Sequence, residues 1–434
     1  MAKHLLFFFV VLTIPMLAFA GGAQEKQAAG PVTLTLWFPA GEITSDTLPF
    51  RSGTDPFAEF EAQNNCKINL VPVDYDTMRQ KILTALAGGK APDLGFVDDS
   101  WIGVYISDGS IVQIPDADAK AWLSAVSPEI VALSDTGGGK MYGYPSWGID
   151  AYALTWNKDV FQEVGLDPNT PPKYWQDFRD DSKKTAIANP DGTMKRVGYA
   201  IRHLGEPAGI VDKWDWLIEG AGGKLNTDPT ALKGGSVLLD TPDMVAGFQM
   251  AHDMVWVDKS TSLNFPDPRD AFLKGIAAFQ ISELVSIQTR QPKEAPTLNW
   301  GFAPAPAKAP GSSPSVHISA WDTVVFSQSA SRSLALKAIQ WYNNVNNDYA
   351  QAKQYNSTPR YLANWNKAPF TTDAMAQQFK SLLPYGHPYP LTLSLSHIMD
   401  GTGTAIQKIL HNEEPVEQAL KEAQDNGNAA LRQQ

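Results

Sequence analysis

KINLVPVDYDTMRQKILTALAGGKAPDLGFVDDSW, from Lys67 to Trp101, is the stretch that sets the fold class. Lys67 to Val73 is rich in aliphatic and β-branched residues and predicts a strand. Tyr75 to Ala87 places Met78, Ile82, Leu83 and Leu86 on one face, which predicts a helix that Gly88-Gly89 stop. Leu94 to Val97 predicts a short strand, with Asp98-Asp99-Ser100-Trp101 directly beyond it. Upstream, Val32 to Phe38 reads as a strand that breaks at Pro39. Asp55-Pro56 opens a helix running to Asn64, Asp55 in the capping place and Pro56 at the first helical position. Strand, helix, strand, helix, strand in this order predicts an α/β chain with an open, mostly parallel sheet and helices on its faces. Ligands of such sheets sit beyond the carboxyl ends of strands, which draws attention to Trp37-Phe38 and to Asp98 through Trp101.

A second α/β unit follows. Asp135 to Lys140 is a tight turn, Ala153 to Trp156 a strand, and Asp159 to Val164 a helix ending at Gly165. Helical patterns recur after Pro171-Pro172, at Trp214 to Gly220, Pro242 to Val257 and Pro268 to Gly275, with a strand at Ile276 to Ile281. Ala303 to Ser315, rich in Pro, Ala and Ser, is a surface connection. A helix at Arg332 to Asn344 and further helical segments complete the chain.

Composition removes several function classes. The 434 residues carry 46 acidic against 35 basic side chains, so an electrostatic grip on nucleic acid is excluded. The lone Cys66 cannot close an intramolecular disulfide, bind structural zinc of the cysteine-rich kind or hold an iron–sulfur cluster. No HExxH, phosphate loop or GxSxG elbow occurs, and the seven histidines show no ligand spacing, so neither metal nor cofactor is expected. Met1 to Ala20, with Lys3 and His4, an apolar run and Ala18-Phe19-Ala20, reads as a signal peptide cut after Ala20. Residues 21–30 are then a flexible leader, and with no cysteine after the cut a lipid anchor is not expected, which predicts a periplasmic protein.

The 13 tryptophans exceed what an ordinary core requires. Several stand beside acids: Asp98-Asp99-Ser100-Trp101, Trp147 with Asp150, Lys213-Trp214-Asp215-Trp216, Trp321-Asp322, and Trp37 with Glu42. A single such pair is more often a core ring with a solvated acid. In number, at strand ends, they suit a sugar, whose apolar faces stack on flat rings and whose hydroxyls pair with carboxylates.

The blocks Thr77 to Trp101, Met141 to Phe178, Asp270 to Ser282, Leu298 to Pro306 and Ser315 to Tyr342 resemble, in this order, bacterial extracellular solute-binding proteins of the maltodextrin-binding type. The most specific pieces are the helix followed by Ala87-Gly88-Gly89-Lys90-Ala91-Pro92-Asp93, and Trp156-Asn157-Lys158-Asp159, Gly165-Leu166-Asp167-Pro168 and Pro171 to Trp175. The resemblance implies the type II periplasmic-binding-protein fold, two lobes joined by a hinge. It assigns residues 31–147 and 300–350 to the N-terminal lobe, and 148–299 and 351–434 to the C-terminal lobe. It further implies a monomer that binds a carbohydrate between the lobes and delivers it to the permease of an ABC importer. Trp37, Asp98, Asp99, Trp101, Trp147, Asp150, Trp214, Trp216, Glu283, Trp321, Asp322 and Arg360 are the expected contacts. Ser282-Glu283-Leu284-Val285 departs from the glycine-proline-tryptophan turn of many relatives. Two other readings remain open at this point: a phosphorylated polyol or organic cation in the same fold, and a secreted glycoside hydrolase, which would require two carboxyl groups facing each other across the sugar.

Overall fold

The computed structural model describes residues 30–40, 57–230, 232–355 and 357–433. The expected signal peptide, nearly all of the leader, Glu42, the Asp55-Pro56 cap and the side chain of Trp147 lie outside the described residues. The first strands are β1 (Val32–Ala40), β2 (Cys66–Asp74) and β3 (Leu94–Asp98), with the helix Tyr75–Ala87 between the last two, as expected. Then come β4 (Gly143–Asn157), β5 (Ile187–Ala188), β6 (Met194–Ala200), β7 (Ala277–Glu283), β8 (Trp300–Ala303), β9 (Val316–Val325) and β10 (Gly386–His387). All join one sheet in the order β2-β1-β3-β9-β4-β7-β6-β5, with β10 on β9 and β8 on β4.

The α/β class holds, but the sheet is mixed rather than mostly parallel. β1 pairs parallel with β2 and β3, and β6 with β7. β9 and β4 run antiparallel to each other, to β3 on one side and to β7 on the other. These two strands pass through the middle of the molecule, so their direction breaks the parallel order of both halves. β4 is also longer than its local pattern shows. Gly143–Ser146 pair with β9 in one register, Asp150–Tyr152 in another, and Tyr152–Trp156 then pair with β7. The shift between Ser146 and Asp150 is where the strand passes from one half to the other.

Apolar side chains collect on either side of that passage. One group gathers Leu34, Leu36, Phe38, Phe96, Tyr144, Val325, Ile339 and Tyr342, with Met78, Ile82, Val97, Trp101 and Phe326 adjacent to it. The other gathers Phe161, Phe178, Tyr199, Trp214, Trp216, Leu217, Phe248 and Phe279 with Ile398, Ile406, Leu420 and Leu431 from the end of the chain. The segment after residue 351, expected to belong wholly to the C-terminal lobe, divides: Phe379, Leu382 and Leu383 pack into the first core, and Leu395 onward into the second.

The helix Pro207–Gly220 starts seven residues before the Trp214 at which the sequence pattern places it. Pro207 fixes its first turn. Ala208 through Ile218 are all buried, so no polar stripe marks the helix in the sequence.

Candidate functional site

β3 ends at Asp98, which turns the chain by accepting Ser100 N at 3.0 Å and Ser100 Oγ at 2.5 Å on the same carboxylate oxygen. Its other oxygen accepts the hydroxyl of Tyr75 at 3.2 Å. Asp99 accepts the main-chain N–H of Ala320 at 3.3 Å. Antiparallel pairing sets Asp98 opposite Trp321 and Val97 opposite Asp322, so the two Trp/Asp clusters that are farthest apart in the sequence meet here. Tyr75 stacks on Trp101 with ring centres 5.8 Å apart, and Trp321 meets both rings edge-on at 5.7 and 6.0 Å.

The other half supplies Asp212 from the helix Pro207–Gly220. It accepts the Tyr152 hydroxyl at 3.2 Å and that of Tyr389 at shorter range. Beside it, Lys213 Nζ lies 2.9 Å from Glu283 and 4.9 Å over the Tyr152 ring. Ser282 donates to the same Glu283 oxygen as Lys213, and Arg269 takes the other.

Charge is unevenly compensated. Burial would raise the Glu283 carboxyl, but Arg269 and Lys213 pull it well below its ordinary range. Among the described residues, Asp98, Asp99, Asp212 and Asp322 have no such cation, apart from Lys213 beside Asp212. Burial, and for three of them the neighbouring carboxylates, push all four upward, Asp212 to about 8. One oxygen of Asp322 and the indole N–H of Trp101 have no hydrogen-bond partner among the described residues. These are buried acceptors and a donor in a ring-lined recess, an arrangement that takes hydroxyls.

The two halves are closed on each other. Asp76 accepts Arg202 Nη2 at 2.8 Å and Glu206 N at 2.9 Å, while Arg79 reaches Glu206 at 3.1 Å and Asp400 at 2.6 Å. The cavity that touches Asp99 and Asp322 is only about 60 Å³. It shares Pro388 to Leu391 with a cavity of about 950 Å³ lined by Glu219, Lys224, Asn226 and His387.

The expected contacts divide accordingly. Asp98, Asp99, Trp101, Trp321 and Asp322 come together, and Trp37 lies half-buried beside the same core. Trp101 is sealed from solvent, with Tyr75 stacked on it and Trp321 at right angles to it. Glu283 is taken up by ion pairs, and Asp150 accepts Ala151 N and Val285 N at the start of the helix Leu284–Glu294. Trp214 and Trp216 are corrected to core rings. Trp214 donates to Arg202 O and packs on Tyr199, while Trp216 packs on Trp175 and Phe178. Arg360 is corrected as well: it is fully buried, with its donors directed to Asp348, Pro145 O, Asn343 and Gln351.

Sequence reasoning missed Tyr75, Tyr152, Asp212 and Tyr389. Tyr75 follows a strand end and was open to the same argument as Asp98. Asp212 and Tyr389 carry no local signal.

The profile of the bacterial extracellular solute-binding protein family matches residues 45–345. A Brucella abortus protein named only as a binding protein is 24% identical over 411 residues, covering 91% of this chain and 94% of its own. Among solved structures, an ABC transporter solute-binding protein from Thermotoga lettingae bound with α-D-tagatose superposes with a TM-score of 0.79 at 21% identity. It covers 92% of this chain and 100% of its own. The maltose/maltodextrin-binding domain from Bdellovibrio bacteriovorus bound to maltotriose gives a TM-score of 0.76 at 17% identity, over 92% and 100% of the two chains. With its profile match across most of its length and a fold in which two halves close over a polar recess, the chain belongs to the bacterial extracellular solute-binding protein family.

Proposed function

We propose that this protein binds a sugar between its two lobes and presents it, in the closed form, to the membrane permease of an ABC importer. The observation that carries the reading is the recess where Asp98, Asp99, Asp322 and Asp212 converge beside Tyr75, Trp101 and Trp321. Carboxylates accept hydroxyls, and rings cover the apolar faces of a pyranose. The sugars held by the tagatose-bound and maltotriose-bound neighbours favour the same class. A phosphorylated polyol fits poorly, because among the described residues its dianion would meet four acidic side chains with Lys213 as the cation beside them. The 60 Å³ left at Asp99 and Asp322 is below the few hundred Å³ of a ligand pocket, so entry requires the lobes to part. Nothing in this cycle consumes the sugar; the protein acts as a carrier, exported to the periplasm and working as a monomer. Calorimetric titration of the protein against mono- and oligosaccharides tests the reading, with tryptophan fluorescence as a second signal. Saturable binding of at least one sugar, weakened tenfold or more by Asp322→Ala (roughly 1.4 kcal/mol per decade), is expected. Binding of another solute class with no response to any sugar overturns it. Released reducing ends on incubation with oligosaccharides would instead identify a hydrolase.

A further inference from the structure

Three residues far apart in the sequence meet beneath the larger cavity: Asp215 on the helix Pro207–Gly220, His317 on β9 and His387 on β10. β10 pairs with β9 so that the two histidines are direct neighbours. One nitrogen or oxygen from each lies within 4.8 Å of the others. His387 Nε2 is 2.5 Å from Asp215 Oδ2, and His317 Nδ1 is 3.9 Å from the same oxygen. A tetrahedral zinc ion bonded at about 2.0–2.1 Å holds its ligand atoms roughly 3.3 Å apart, between these two distances.

His317 is the second observation. It is fully buried, and among the described residues neither ring nitrogen meets a side-chain hydrogen-bond partner: around it stand the main chain and ring of His387, the Tyr389 ring at 4.0 Å, the Tyr152 ring at 5.0 Å, and Asp215 beyond hydrogen-bond reach at 3.9 Å. A buried imidazole without a partner forfeits its hydration for nothing in return, unless something else takes its lone pair. His387 is in contrast oriented: Ser315 Oγ lies 3.4 Å from its Nδ1, which leaves Nε2 facing Asp215. His387 and Glu219 also line the cavity of about 950 Å³, which supplies an entry path. The nearby cations are already matched, Lys224 by Glu219 and Lys213 by Glu283.

We propose that Asp215, His317 and His387 form a site for one divalent transition metal ion of the zinc class, with the cavity supplying a fourth, open position. This site adjoins the sugar recess, since His317 packs on Tyr389 and Tyr152, but it is built from side chains that the recess does not use. The test uses the full chain freed of metal by chelation. Zinc binding is followed by calorimetry and by elemental analysis after dialysis, and cobalt binding by its visible absorption. One ion per chain is expected, with affinity falling at least tenfold, roughly 1.4 kcal/mol, in His387→Gln and in His317→Gln. His387 is the safer variant for folding because it is partly exposed. His203 and His411, whose ring nitrogens lie 2.9 Å apart, are the competing pair, so His411→Gln should leave binding unchanged. Absence of stoichiometric binding, binding unaffected by His387→Gln, or binding lost in His411→Gln overturns the proposal, and Asp215 with His387 is then an ion pair only.

Discussion

Asp212 shows at the scale of one residue what the recess costs. Burial first, and the charge of Asp98 second, raise its pKa from an ordinary 3.8 to about 8. In the unfolded chain the group ionises near 3.8, whereas in the fold it holds its proton to about 8. Its contribution to stability is therefore complete below about pH 4 and is lost as the pH climbs to about 8. Asp212→Asn removes that loss while keeping an acceptor for Tyr389 or Tyr152. Relative to wild type, the variant should gain about 2–5 kcal/mol between those limits, read from denaturant midpoints. A difference that stays constant with pH contradicts it. Arg360 is the opposite case, a buried charge whose partners are all in place. Arg360→Met leaves the buried Asp348 without its cation and Pro145 O without the guanidinium donor, and should cost about 3–5 kcal/mol in urea denaturation, with the recess untouched. The same two residues show why the site was only partly legible. Successive residues of a helix point about 100° apart, so Trp214 and Asp215 cannot share a face, while Asp212 and Asp215, three apart, do. Reading Trp beside Asp as a pair holds at a strand end such as Asp98 and fails on a helix.

Among elements, the helix Tyr75–Ala87 is the piece that registers closure. It packs with the first core through Met78 and Ile82, yet Asp76 and Arg79 bond to Arg202, Glu206 and Asp400 of the opposite half. Arg79→Ala removes two of these ion pairs without disturbing either core. Small-angle scattering should then give a larger radius of gyration for the ligand-free protein, with the open population rising about fivefold or more for a loss near 1 kcal/mol. Raising salt should move wild type in the same direction, because Asp76 and Asp400 are partly exposed. An unchanged radius in both experiments would show that other contacts hold the lobes. This helix and its flanking strands were legible because their signals are local. The long β4 was not, since its first half is defined by pairing with β9, more than 160 residues away.

At the scale of the whole molecule, the α/β class and the two-lobed plan follow from local alternation and resemblance. The mixed sheet does not, because it depends on strands that no neighbouring residue predicts. The second core draws Leu154 through Ile281 together with Leu395 through Leu431. A chain ending at residue 393 should therefore lose the cooperative unfolding transition and near-ultraviolet dichroism of that half, while a chain that keeps both shows the closing helices to be dispensable. The order of synthesis gives this packing a further meaning. At about 5–20 residues per second, most of the second half exists for many seconds before its last helix is made. Until then its apolar face has nothing to close against, and the chain stays pliable. For a member of an extracellular family, such a delay would leave the polypeptide able to thread through a membrane pore until Val416–Arg432 is made.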